Sequence, residues 1–342
     1  MEERVLEVKN LSKFFQVNRG MKPQVVQAVN DVSFYVDKGE TLGIVGESGC
    51  GKSSMGRTIL RIYDPTKGKI LFKGEDISHL SRKQMLPYRQ KLQMIFQDPY
   101  ASLNPRFTVG EIIGESMDIH NIGTPSQREK KVQELLEIVG LKPDHIRRYP
   151  HEFSGGQRQR IGIARTLALD PEFIVCDEPI SALDVSIQAQ VINLLEDIQK
   201  AKGISYLFIA HDLGMVKHIS HRIGVMYLGH MMEIGEANAV YKKPLHPYSK
   251  ALLSAEPIPD PKVAKSKKRI LLEGEIPSPI NPPKGCPFNT RCPYAVPECF
   301  NQMPANFHVE DRQVACYLYS PRYMRQRENV AIEPLLNKKE NS

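Results

Sequence analysis

The chain has 342 residues, 41% hydrophobic and 25% charged, with a formal net charge of +7. That length can bury one large core or two ordinary ones, and that balance excludes general disorder. The positive charge is concentrated in one stretch, the rest of the chain being nearly balanced. Residues 241 to 285 hold nine Lys or Arg against four Asp or Glu, +5 of the +7, and such a stretch is usually a solvated segment, less often a contact with acidic lipid or nucleic acid. No apolar run approaches the roughly 18 residues of a bilayer span, and the start "MEERVLEVKN" lacks the apolar core of a signal peptide. A cytoplasmic location is expected.

Up to about residue 240, short apolar runs rich in β-branched residues alternate with helical patterns, which predicts an α/β fold with a parallel sheet. The first strand, "TLGIVG", runs into "GESGCGKSS", Gly46 to Ser54, and then into the helical "SSMGRTILRIY". This is G-x-x-x-x-G-K-[ST] between a strand and a helix, the setting in which backbone N–H groups and a helix N-terminus cradle phosphate. In that setting Lys52 reaches the β and γ phosphates and Ser53 ligates Mg²⁺. By itself the loop says only that a nucleotide binds.

"LQMIFQ" is a second strand. "SQREKKVQELLEIVG" places Val132, Leu135, Leu136 and Val139 on one helical face, with Ser126 and Glu129 spaced as a capping box. In "FSGGQRQRIGIARTLAL", Ser154 and the amides of Gly155 and Gly156 form a second anion-binding helix terminus. One phosphate group does not need two such cradles. "FIVCDEP" is a strand ending in Asp177, expected on Mg²⁺, and Glu178, able to polarise water. "SALD" follows, and the strand "SYLFIA" ends at His211, which taken alone would as readily be an ordinary structural histidine.

From Tyr241 the texture changes. Thirteen of the 25 prolines fall between Pro244 and Pro304, which places a boundary near 240. Residues 326 to 342 read as a polar tail. Between them, Cys286, Cys292, Cys299 and Cys316 gather in a segment too poor in periodic apolar residues to hold shape unaided. A reducing compartment argues against disulfides. The gaps of five, six and sixteen residues lack the short C-x-x-C pairs of structural zinc, whereas an iron-sulfur cluster tolerates them. Free thiols remain the plain alternative. Cys50 and Cys176 read as packing residues.

The ordered set "GESGCGKSS", Gln97 in "IFQDP", "FSGGQRQR", "FIVCDEP", "SALD" and "IAHD" resembles the nucleotide-binding subunit of an ATP-binding cassette transporter over residues 1 to about 240. The resemblance implies a P-loop ATPase cassette with a helical subdomain near 100–165, followed by an irregular Cys/Pro-rich C-terminal domain over 241–325. Phe15 would stack on adenine. Gly46, Glu47, Ser48, Gly49, Cys50, Gly51, Lys52, Ser53 and Ser54 would hold ATP, and Ser53, Gln97 and Asp177 its Mg²⁺. Glu178, His211, Gln97 and Lys52 would carry hydrolysis. Ser154, Gly155, Gly156 and Gln157 would close over the nucleotide of the partner subunit, so two cassettes must pair head to tail. Phe153 stands where the family usually has Leu.

"DPYASLNPRFTVGEIIGE", "HPYSKALLSAEP" and "EGEIPSPINPPKGCPFNTRCPYA" resemble the peptide and nickel importer branch, most of all the second ATPase subunit of oligopeptide or dipeptide importers. That implies a subunit peripheral to the cytoplasmic membrane face. Its partners would be a related ATPase, two membrane permease subunits and, indirectly, an external solute-binding protein, with no nucleic acid. Nickel import is the alternative, and a non-transport cassette ATPase a lesser one. Gln97 to about Met117, with Phe107 and Val109, would receive a short cytoplasmic helix of a membrane subunit. Similar tails in this branch are associated with a [4Fe-4S] cluster, which selects that cluster for the four cysteines, with Zn as alternative.

Overall fold

The computed structural model describes residues 3–19, 22–181, 183–256 and 270–329. Two sheets organise them. The strands are β1 (Arg4–Arg19), β2 (Lys22–Asp37), β3 (Thr41–Val45), β4 (Lys67–Phe72), β5 (Glu75–Asp76), β6 (Leu92–Ile95), β7 (Phe173–Asp177), β8 (Ser205–Ile209), β9 (Arg222–Tyr227), β10 (His230–Glu236), β11 (Phe307–Val309) and β12 (Arg312–Val314). A four-stranded antiparallel sheet has the order β2-β1-β4-β5, and an eight-stranded sheet the order β11-β12-β10-β9-β3-β8-β7-β6. The four strands expected from the sequence, β3, β6, β7 and β8, lie together and parallel.

Those strands are mostly apolar because both faces are covered. Alternate residues serve different cores. Leu42, Ile44, Phe173, Val175, Leu207 and Ile209 pack with β1 and β2. Ile174, Cys176, Tyr206 and Phe208, their immediate neighbours, pack against the helical side. The antiparallel strands β1 and β2 alternate half-exposed polar residues with buried ones and draw their stability from that same central sheet.

Helices Val109–Ile119, Pro125–Ile138 and Gly155–Leu167 form a layer beside the sheet. The expected helix face is buried, with Val132, Leu135, Leu136 and Val139 in the core. Its capping box sits two residues earlier than the Ser126–Glu129 spacing suggests: Thr124 is the N-cap and Gln127 returns the bond. Pro125 explains the difference, since its fixed φ and missing N–H suit the first helical position. Val109 is also corrected. It begins a helix capped by Thr108 and is fully buried, whereas Phe107 just before it is exposed.

The segment after residue 240 continues the main sheet. β12 pairs with β10, matching Val314 to Glu233. Arg312 and Glu233 form a buried ion pair at 3.4 Å, and the Glu233 carboxylate also accepts the amides of Leu245 and His246. Of the expected polar tail, residues 330–342 lie outside the described residues; the helix Pro321–Asn329 precedes them.

Candidate ATP site and its surroundings

The phosphate loop leaves β3 at Val45 and enters the helix Lys52–Ile59. Gly46 and Gly51 have φ of 155° and 104°, and a Cβ there would stand 2.1 Å from the carbonyl of Met226 and 1.9 Å from that of Ala28. Only glycine lets the loop seat this closely against β2 and β9. Lys52 is buried, and its ammonium donates to the carbonyls of Gly46 at 2.8 Å and Glu47 at 3.1 Å. Cys50 packs beside it, its thiol pushed up chiefly by burial. Ser48, Gly49 and Ser54 complete the loop. Ser53 Oγ donates to Asp177 Oδ1 at 2.6 Å. Both are hard oxygens of the kind Mg²⁺ takes, so the donor set fits that ion.

Asp177 ends β7 fully buried and also meets Arg57 at 3.4 Å. Arg57 was not singled out from the sequence, although its place one helical turn after Ser53 puts both on one face. Glu178 follows with φ of 46°, a left-handed backbone uncommon outside glycine. Its amide is tied to the carbonyl of Ile209 at 2.9 Å. That turn aims the carboxylate at Gln97, whose Nε2 donates to Oε2 at 2.8 Å, and toward His211 Nδ1 at 4.0 Å. Three residues from three strand ends thus meet. A carboxylate held beside an amide and an imidazole can orient a water and take its proton.

Phe15 lies on β1, its ring meeting Tyr63 edge-on at 5.2 Å with the Lys13 ammonium 4.8 Å above it. Tyr63 is a second aromatic that sequence patterning missed. Ser154 caps the helix Gly155–Leu167, with Gln157 returning the bond. Among the described residues no hydrogen bond or ion pair joins Ser154–Gln157 to the phosphate loop; the two anion-binding turns are separate. Asp184 of "SALD" stands at the N-cap position of the helix Val185–Lys202 without a side-chain cap bond, and Ala182 lies outside the described residues.

The tail cysteines are all free. Cys286 lies within charge-interaction range of Cys292, Cys299 and Cys316, and its amide donates to the Cys299 carbonyl at 2.8 Å. Burial pushes the thiols of Cys286 and Cys292 up to about 12 and about 11. Yet among the described residues no group of three or more His, Cys, Asp or Glu is arranged to hold a metal ion. Cys286, Cys299 and Cys316 are buried and Cys292 half-buried, four free thiols sharing one neighbourhood.

A cavity of about 730 Å³ opens beside Gln97, lined by Phe96, Ser116, Ile119, His120 and Arg165 among others. Ile119 and Phe96 are exposed within it. No helix among the described residues is long and apolar enough to cross a membrane.

A phosphate loop, a strand-end pair of buried Asp177 and half-buried Glu178, and a run of parallel strands carrying both define a nucleotide-hydrolysing protein of the P-loop class. Residues 29–181 match the family model described as ABC transporter, and residues 232–299 that described as oligopeptide/dipeptide transporter, C-terminal region. The chain is 61% identical to the putative oligopeptide transport ATP-binding protein YkfD of Bacillus subtilis, over 92% of this chain and 95% of that protein. It is 51% identical to the oligopeptide transport ATP-binding protein OppF of Salmonella typhimurium, over 93% and 97%. Among solved structures it is similar to the ATP-binding cassette MJ0796, dimeric and bound to ADP and Pi, with a TM-score of 0.61 and 26% identity over 68% of this chain and 98% of that one. The chain belongs to the ABC transporter ATPase family.

Proposed function

We infer that the chain is the ATP-hydrolysing subunit of an importer of oligopeptides, docked on the cytoplasmic face of the membrane. What carries this reading is the likeness to oligopeptide transport ATP-binding proteins along nearly the whole chain, tail region included. Dipeptides or nickel are the neighbouring solutes. The test is uptake by the chain assembled with its membrane subunits: labelled oligopeptide is expected to be the preferred solute, and preference for dipeptide or Ni²⁺ would replace it. Co-purification with ribosomes or DNA instead of membrane subunits would overturn transport.

Within the site, Phe15 stacks on adenine, the amides of residues 46–54 hold phosphates, and Lys52 meets the charge that develops on the γ-phosphate. Ser53 and Asp177, with Gln97, would hold Mg²⁺, which when bound neutralises phosphate charge. Glu178 polarises the attacking water, with Gln97 and His211 orienting it. Because the signature turn Ser154–Gln157 and this chain's own loop are separate, a second cassette completes each site, and we assign that partner as a related ATPase. The cavity beside Gln97, with Phe107 near its rim helix, takes a short helix of a permease subunit, while the external binding protein is reached only through those subunits. The [4Fe-4S] reading of Cys286, Cys292, Cys299 and Cys316, with Zn as alternative, rests on the four-thiol donor set and the family resemblance and carries no step of this mechanism. Iron and zinc analysis after anaerobic purification tests it.

A further inference from the structure

Glu47 is an odd residue for a loop that must receive phosphate, because a carboxylate beside a polyanion repels it. The structure shows how its charge is met. The Glu47 carboxylate is paired with Arg291, at 2.9 Å from Nη1 to Oε2 and 3.2 Å to Oε1. Arg291 comes from the cysteine-bearing tail, 244 residues away. Its side chain is 8% exposed and that of Glu47 23%, so the pair is screened far less than a surface salt bridge. The same guanidinium donates to the hydroxyl of Tyr227 at 3.3 Å. The other end of Glu47 is also fixed from the tail, its amide donating to the Tyr248 hydroxyl at 2.9 Å. Tyr248 is fully buried and packs against Tyr227 and Phe288, ring centroids 4.6 and 5.4 Å apart. The Glu47 carbonyl, between these two anchors, is one of the oxygens that hold the Lys52 ammonium.

We propose that Arg291 is a positioning residue of the ATP site: it neutralises Glu47 and, with Tyr248, fixes the peptide on which Lys52 rests. The proposal rests on reading residues 46–54 as the ATP phosphate site. It assigns the tail a part in nucleotide binding by the same chain. Two effects separate it from a simple staple. Loss of Arg291 leaves an unpaired negative charge at the phosphate loop, and removing that charge as well restores affinity. A staple would be broken by either substitution and mended by neither.

The experiment titrates Mg-ATP into the full chain by calorimetry and follows hydrolysis in the assembled transporter. Arg291→Ala is expected to bind about tenfold more weakly, about 1.4 kcal/mol, with KM raised by a similar factor and kcat within about threefold. Glu47→Gln, which removes a negative charge from the phosphate loop, is expected to bind about threefold more tightly than the unsubstituted chain, and Arg291→Ala with Glu47→Gln to recover most of the tenfold loss. An Arg291→Ala chain with unchanged affinity overturns the proposal, as does a double variant as weak as the single one. If Arg291→Ala fails to fold, Glu47→Gln alone decides, and binding no tighter than that of the unsubstituted chain overturns the proposal. Lys52→Ala is the control: should it too leave Mg-ATP binding unchanged, the reading of the loop falls, not merely the role of Arg291.

Discussion

Gln97 and Glu178, 81 residues apart in sequence, share a hydrogen bond of 2.8 Å. The first stands just beyond β6, beside the cavity proposed for the permease helix, and the second at the tip of β7. A displacement at that cavity therefore moves a group bonded to the carboxylate proposed to polarise water. Glu178→Gln keeps the size and loses the charge. It is expected to bind Mg-ATP as the unsubstituted chain does and to lose turnover by about a hundredfold or more in the assembled transporter. Turnover that survives would remove Glu178 from that role.

Phe107 and Val109, two residues apart, are expected to behave oppositely. Phe107 is 39% exposed and Val109 fully buried under a capped helix. Phe107→Ala should lower solute transported per ATP hydrolysed while nucleotide affinity holds. Val109→Ala should instead cost roughly 1–3 kcal/mol of stability, read by denaturant unfolding. Equal losses of affinity and transport in the Phe107 variant would speak against docking.

Breaking the Glu233–Arg312 pair from one side leaves a charge without its partner in a site where both side chains are at most 2% exposed. Arg312→Ala is expected to cost about 3–5 kcal/mol, seen as a lower unfolding midpoint. Replacing both by apolar residues of similar volume should recover much of it. A midpoint unchanged by Arg312→Ala would show that the pair contributes nothing.

His246 supplies a pH dependence. Burial holds its imidazole down to about 3, against about 6.5 in an unfolded chain. Between those values the unfolded state binds a proton that the folded state refuses, so stability is full above about pH 6.5 and falls as pH drops toward 3. His230, held down to about 4 by the same cause, acts with the same sign. From pH 7.5 to 5.5 each group costs about 1.4 kcal/mol. His246→Gln should be less stable at pH 7.5, yet should lose less on acidification. An unchanged slope would contradict the assignment.

What was legible in the sequence is what is local. The strands β3, β6, β7 and β8 announced themselves because burial on both faces leaves no polar alternation, and the turn at Ser154 because a capping box closes within four residues. β1 and β2 went unread as strands, since their half-exposed pattern is too mixed and their pairing is set by the sheet beneath. Asp177 and Glu178 could be named from their strand, and Gln97 and His211 were placed beside them only through the family resemblance; that Arg57 and Tyr63 join the site could not be read. Arg291 gave no signal at all: an arginine among prolines and cysteines acquires its meaning only when the fold sets it against Glu47.

The hairpin of β11 and β12 has a further consequence for how the molecule lives among its copies. Without them β10 would be the outermost strand of a six-stranded sheet, its amides and carbonyls open as a template for any extended chain. With Glu233 set opposite Val314 and Ile234 opposite Gln313, that rim is already spoken for. A chain ending before residue 307 would bare it, together with the carboxylate that Arg312 neutralises. The expected fate of such a fragment is self-association edge to edge rather than a smaller working cassette, so β11 and β12 act as a guard against the protein's own kind.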